Sequence, residues 1–328
     1  MPTPHIYLAP MEGVTTFLYR RAHAAVYGPL DKYFTPFLEP REKRSMKTKE
    51  RNEVLPEHNE SLNVVPQILT NHAAGFLELA GTLWEMGYRE INLNLGCPSK
   101  TVVTRGKGSG FLAAPEELDR FFDAVYKGLP GKMKLSVKTR IGVEADEEFE
   151  RLLAIYNQYP ISELIIHPRL QQDYYKNHPR KAAYRYALEE SKAPLCYNGD
   201  LFTEGQIREF EAEFPKEDRL MLGRGIILNP GLPSVLRGEA DCWDEKAQRR
   251  KFLEFHRRVV DGYRALDIGD RNVLFKVKEL WFYQIHLFEH AEKYGKKIKK
   301  AQNLETYMEC VRELTDCCRI APPGSLAK

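Results

Sequence analysis

Cys97 stands between Gly96 and Pro98, at the end of the alternating run Ile91-Asn92-Leu93-Asn94-Leu95. A glycine and a proline on either side fix the backbone of a turn, so the thiol is held at the end of a strand. A thiol held there can do two kinds of chemistry. As a nucleophile it needs a base, usually a histidine, to lower its pKa, and His167 is available for that. As a proton donor it must keep a pKa near or above neutral. Residue types leave both roles open. Lys138 and His167 each close a buried-looking run, and a lysine so placed can stabilise negative charge on an electron-rich ring. Two glycine-containing tripeptides, Asn198-Gly199-Asp200 and Gly223-Arg224-Gly225, offer close backbone N–H groups and one guanidinium, a combination suited to a phosphate. Pro10-Met11-Glu12-Gly13, Gln67, Asn94 and Arg140 complete a series of polar or glycine-rich run ends. After Cys97 the segment Thr101–Leu112 carries Gly106, Gly108 and Gly110, and reads as a flexible lid.

Positioning these groups requires short strands, and the pattern supplies eight: His5–Ala9, Tyr33–Phe37, Asn63–Leu69, Glu90–Leu95, Lys134–Lys138, Glu163–His167, Pro194–Asn198 and Arg219–Leu222. Helix-period segments lie between most of them. Ala73–Met86 places Phe76, Leu79, Ala80 and Leu83 on one face, and Pro115–Leu129 opens with a proline followed by two glutamates. Asp146–Tyr159, Lys181–Ser191 and Thr203–Phe214 read as further helices, the last capped by Thr203. Eight strands alternating with helices predict a (β/α)8 TIM barrel, in which chemistry belongs at the C-terminal strand ends and phosphate at the last two strands. A doubly wound sheet would carry a glycine-rich dinucleotide loop after its first strand, whereas this chain has Ala9-Pro10-Met11-Glu12-Gly13. After Gly238 the pattern is helical only, with Glu245–Leu266, Asn272–His290 and Asn303–Ile320 forming a small all-α bundle and Lys293–Lys300 joining two of its helices. The predicted division is 1–240 and 241–328.

With 328 residues, 43% hydrophobic and 29% charged, the chain has an ordinary globular composition. No window approaches a membrane span, and Met1–Val14 lacks the features of a targeting peptide, so the expected location is the cytoplasm. Six cysteines without a C-x-x-C pair suit a reducing compartment, and no metal centre is expected. The net charge of +3 alone does not imply nucleic acid, but from Asp241 onward there are 18 basic against 14 acidic residues.

The segments "APMEGV", "LNLGCPSK", "VKTRIG", "IIHPR", "CYNGDL" and "LGRGIILNP" resemble, in order and spacing, the tRNA-dihydrouridine synthases over roughly Leu8–Pro230, and the helical tail is similar to that family's RNA-binding domain. The resemblance implies an FMN-dependent reduction of a uridine in tRNA to 5,6-dihydrouridine. NADPH reduces the flavin, hydride passes from its N5 to C6 of the base, and Cys97 protonates C5. It further implies that Pro10, Met11 and Glu12 line the flavin ring, that Gln67 and Lys138 hydrogen-bond its polar edge, and that Asn198, Gly199, Asp200, Gly223 and Arg224 take the phosphate. Asn94, Arg140 and His167 would hold the uracil, with His167 also next to FMN. Where the family commonly has His-Gly-Arg-Thr, this chain has His167-Pro168-Arg169-Leu170, and Ile226 replaces a small residue after Gly-Arg-Gly. Arg169 is not carried over. The alternatives are an FMN barrel acting on a free pyrimidine, against which the basic tail argues, and a non-catalytic RNA-binding protein, which would need neither Cys97 nor Lys138.

Overall fold

The computed structural model describes residues 4–41, 46–239 and 244–322. Nine parallel strands form one sheet: β1 (His5–Leu8), β2 (Lys32–Phe34), β3 (Val64–Val65), β4 (Gln67–Ile68), β5 (Glu90–Leu95), β6 (Lys134–Gly142), β7 (Glu163–Leu170), β8 (Leu195–Tyr197) and β9 (Arg219–Leu222). β3 and β4 are the two halves of one predicted strand. Pro66, which has no N–H to give to a ladder, separates them, so β3 pairs with β2 while β4 pairs with β5. β1 pairs with β9 in register Tyr7↔Met221 and closes the ring. The result is a TIM barrel of eight strand positions, one of them split.

The alternation in the β5 sequence now has a cause. Ile91, Leu93 and Leu95 pack outward in the core shared with the helices. Asn92 and Asn94 point into the barrel, as do Ser136 and Lys138 in register beside them on β6. The interior below is apolar, filled by Tyr7, Phe34, Val65, Ile165, Cys196 and Met221. Polar groups close both ends of this interior. At the N-terminal ends of the strands Lys32 pairs with Glu90 and Glu163, and Tyr7 Oη donates to Glu163, whereas the layer at the C-terminal ends borders the cavities described below. Pro168 is accommodated within β7 because the pairing with β6 shifts register there, between Arg140 and Gly142.

The five predicted barrel helices form within a few residues of their expected bounds, and Thr203 Oγ1 accepts from the N–H of Gln206 as a cap. The join between barrel and helical region falls on residues 240–243, outside the described residues, and so does Cys242. On either side of it one continuous core is shared. Helix Glu245–Ala265 lies along helix Phe17–Tyr27, with the Phe255 ring edge-on to Tyr19 at 5.2 Å and Tyr263 Oη 3.1 Å from Thr16 Oγ1. Helix Asp270–Gln284 follows, ending six residues before the predicted stop in a 3-10 turn. The run read as a connection is itself helix Glu292–Lys300, which buries Tyr294 and Ile298 one turn apart and stacks its lysines in the last turn. Helix Leu304–Cys317 closes the bundle. None of the described helices is long and apolar enough to cross a membrane.

Candidate active site at the barrel mouth

Two cavities meet at the C-terminal ends of the strands. The larger, about 370 Å³, is lined by Pro10, Met11, Glu12, Gln67, Asn94, Cys97, Lys138, Arg140 and His167, together with Tyr174, Tyr175 and Tyr283. The smaller, about 60 Å³, is lined by Asn198, Gly199, Asp200, Gly223 and Arg224, and shares Pro10, Met11, Lys138, His167 and Tyr175 with the first. Every residue expected from the sequence thus lies on one of two adjoining walls.

Cys97 is held by hydrogen bonds from three directions. Asn94 Oδ1 accepts from the N–H groups of Gly96 (3.1 Å) and Cys97 (2.9 Å). Ser109 N and Oγ both donate to the Cys97 carbonyl, at 3.1 and 3.0 Å. Arg140 Nε donates to the Gly96 carbonyl at 3.0 Å. The segment expected to be a mobile lid is instead folded under this turn, as a short helix Lys100–Val103 and a 3-10 helix Gly108–Ala113. Gly108 has φ +56, and a Cβ on it would sit 2.7 Å from the Cys97 carbonyl. Its glycine serves close packing, not mobility. Burial pushes the thiol above its ordinary value, so it is protonated at neutral pH. His167 does not act on it, because His167 Nε2 lies 2.9 Å from Arg169 Nη1. Arg169 can only donate, so the imidazole proton sits on Nδ1. Burial and the surrounding guanidinium and ammonium groups hold His167 well below its usual range and therefore neutral. The geometry favours a proton-donating thiol over a nucleophilic one.

Asn94 Nδ2 donates to Gln67 Oε1 (2.7 Å), Gln67 Nε2 to Asn92 Oδ1 (2.8 Å), and Asn92 Nδ2 to Ser136 Oγ (3.0 Å). This chain of amides fixes three strand ends relative to one another. Arg140 is spent largely on the scaffold, since Nη1 donates to the Leu170 carbonyl (2.7 Å) and Nη2 to that of Tyr174 (2.8 Å). Lys138 differs from all of these. Among the described residues its Nζ has no hydrogen bond or ion pair. Burial and the nearby Arg140 lower its pKa to about 8. Glu12 is tied at the rim to Lys49.

In the smaller cavity Asp200 accepts from Arg169 Nη1 (3.0 Å) and Nη2 (2.5 Å) and from Arg224 Nη2. The Asp200 carboxylate therefore holds guanidinium groups in place, and any direct contact of Asp200 with a phosphate falls to its backbone N–H. The backbone N–H groups of Gly199, Asp200 and Gly223 make no hydrogen bond within the described residues. Asn198 Nδ2 is committed to the Met221 carbonyl at 2.7 Å.

Arg169, Tyr175 and Tyr283 are among the residues at the mouth that were not foreseen. Arg169, 1% exposed, is the buried hub joining His167, Asp200 and the Asn177 carbonyl, and its own place in His-Pro-Arg was the one available signal. Tyr175 lies across both cavities, its ring 4.6 Å from the Arg224 guanidinium and 5.6 Å from that of Arg140. Tyr283 arrives from the helical region. No local pattern marks either tyrosine.

Comparison with known proteins agrees with this geometry. The family model "Dihydrouridine synthase (Dus)" matches residues 7–319. A probable tRNA-dihydrouridine synthase of Staphylococcus epidermidis (strain ATCC 12228 / FDA PCI 1200) is 30% identical over 241 residues, covering 70% of this chain and 71% of that protein. Probable tRNA-dihydrouridine synthase 2 of Bacillus subtilis (strain 168) is 29% identical with the same coverage. Among solved structures, morphinone reductase in complex with tetrahydroNAD shares the fold at a TM-score of 0.50 and 12% identity, over 74% of this chain and 90% of that one. The chain belongs to the dihydrouridine synthase family of oxidoreductases.

Proposed function

We propose that this protein reduces a uridine of tRNA to 5,6-dihydrouridine, with FMN as bound cofactor and NADPH as its reductant, in the cytoplasm. The observation that carries the proposal is the occupancy of one cavity by two opposite chemical types: a protonated, rigidly held thiol and an ammonium without a counter-ion among the described residues. A site for flavin should offer unsatisfied donors toward its anionic and electron-rich parts, and Lys138 Nζ and the N–H groups of Gly199, Asp200 and Gly223 are such donors. In this reading Arg224 and those backbone groups take the phosphate, Asn198 and Asp200 shape its pocket, and Lys138 and the remaining N–H of Gln67 meet the polar edge of the ring. Pro10, Met11 and Glu12 form the wall beside the ring, with His167 next to it. When bound, FMN supplies the hydride that reaches C6 of the base.

The chain's own groups do the rest. Arg140 keeps two of its five N–H groups free of the scaffold and Asn94 keeps one, so both can meet uracil oxygens, with His167 Nδ1–H beside them. Charge that builds on those oxygens in the transition state is stabilised by the fixed guanidinium. Cys97 Sγ–H gives its proton to C5, and the thiolate left behind recovers one from solvent. A base stacked in folded RNA cannot reach this cavity, so it must be flipped out, at a cost of about a few kcal/mol. Exposed lysines of helix Glu292–Lys300 would offset that cost through phosphate contacts. Residues 1–240 serve as the catalytic part and 241–328 as the tRNA-binding part.

The test is to map dihydrouridine position by position in tRNA from cells with and without the protein. Loss of the modification at defined positions supports the proposal. Unchanged tRNA, together with turnover of a free pyrimidine, would replace it with the small-substrate reading.

A further inference from the structure

Helix Asp270–Gln284 carries the two most exposed large apolar side chains among the described residues, Phe275 at 63% and Phe282 at 69%. Seven residues apart, they lie within about 20° of each other around the axis and about 10 Å apart along it. They form a stripe, and cations flank it on both sides. Lys276, whose Nζ is 5.5 Å from the Phe275 ring, lies on the side toward the barrel, and exposed Arg271 lies on the other, where Lys278 is committed to the Lys299 and Ala301 carbonyls. The carboxylate between the rings, Glu279, is already matched by Lys276 at 3.6 Å.

The stripe is continuous with the candidate active site. Tyr283, next to Phe282, lines the same cavity as Cys97. Glu279 Oε2 lies 3.3 Å from where a Gly13 Cβ would be, so the helix abuts the loop that follows β1. Two rings of at most about 250 Å² each fall short of the roughly 800 Å² per partner that a stable protein interface needs. Separate flat rings between cations instead suit a chain of separate flat bases between phosphates, because stacking tolerates any base and the cations meet the backbone.

We propose that the Phe275–Phe282 stripe is a stacking platform for unpaired RNA bases adjoining the nucleotide that enters the cavity. Its length matches about three nucleotide rises of a stacked strand. It rests on the reading that tRNA is the substrate, and it adds where the displaced neighbours of the target base are held.

The experiment uses an unmodified tRNA transcript and the flavin-loaded protein, wild type against Phe275→Ala, Phe282→Ala, the double variant, and Phe282→Tyr. Both rings are exposed, so thermal denaturation should be unchanged. Each alanine variant is expected to weaken tRNA binding and raise KM about tenfold, with kcat within about twofold. Phe282→Tyr should restore binding. The dependence of affinity on salt should keep its slope, because no cation is removed. A wild type that reduces tRNA alongside a double variant with the same Kd overturns the platform alone. A wild type that neither binds nor reduces tRNA removes the underlying reading and this one with it. A dimer in sedimentation that the double variant disperses overturns the RNA assignment in favour of a second copy of the chain.

Discussion

Replacing Lys138 with methionine should make the flavin-free protein more stable below pH 8 and leave it unchanged near pH 10.5. Burial and the neighbouring Arg140 lower the pKa of Lys138 from 10.5 to about 8, and its Nζ has no acceptor among the described residues. The folded-state value is therefore below the unfolded one. Below pH 8 both states hold the proton and the native state carries the whole cost of an uncompensated charge. Between pH 8 and 10.5 the native state has released the proton while the unfolded state keeps it, so stability rises with pH. Above that window the cost is gone. The displacement corresponds to about 3 kcal/mol, an upper figure because water in the cavity screens the charge. The assay is urea denaturation of wild type and Lys138→Met at half-unit steps from pH 6.5 to 10.5, each repeated on a Cys97→Ala background because the Lys138 ammonium also acts on that thiol; the difference cancels the groups that do not sense Lys138. FMN should reverse the order at neutral pH, since a ligand atom that accepts from Nζ stabilises only the wild type. A wild-type-minus-variant difference that stays flat across the window would refute the claim that this ammonium waits for a ligand.

Further expectations follow from the same contacts. Asn94→Ala removes three hydrogen bonds and leaves Gln67 Oε1 and two backbone N–H groups unmatched, which should cost about 2–4 kcal/mol in denaturation and speed alkylation of Cys97 by iodoacetamide. Asp200→Asn leaves buried Arg169 without its carboxylate. The expected loss is about 3 kcal/mol of stability, at the low end for a broken buried pair because Asp200 is partly exposed, with a fall in the preference for FMN over riboflavin measured by flavin titration. Exposed Lys296 and Lys299 should each contribute to counter-ion release, so Lys296→Ala and Lys299→Ala should each lower the slope of log affinity against log salt by about 0.7–0.9 in tRNA filter binding.

What was legible in the sequence was whatever a local pattern encodes. Period-2 alternation in Ile91–Leu95 marked a strand with two different faces, and the barrel shows why, with asparagines inside and aliphatics against the helices. Pro and Gly beside Cys97 marked its turn. Groups placed by pairing between distant segments were hidden. Arg169 is a hub only because β7 brings it against Asp200 after β8, and Tyr283 reaches the mouth only because a helix beyond the barrel packs on the loop after β1. The glycines after Cys97 signalled mobility by composition, yet Gly108 is there because a carbonyl is too close for a Cβ. Lys293–Lys300 looked like a solvated connector because its charge masks two buried residues one turn apart.

The most direct test of the central claim is a single incubation of purified protein with FMN, NADPH and unmodified tRNA, wild type against Cys97→Ala, with dihydrouridine measured by mass spectrometry and flavin and tRNA binding measured alongside. The account predicts dihydrouridine at defined positions with the wild type, and a variant that binds both ligands normally yet yields little or none. Product formed equally well by Cys97→Ala, or none formed by a wild type that binds both ligands, would contradict it.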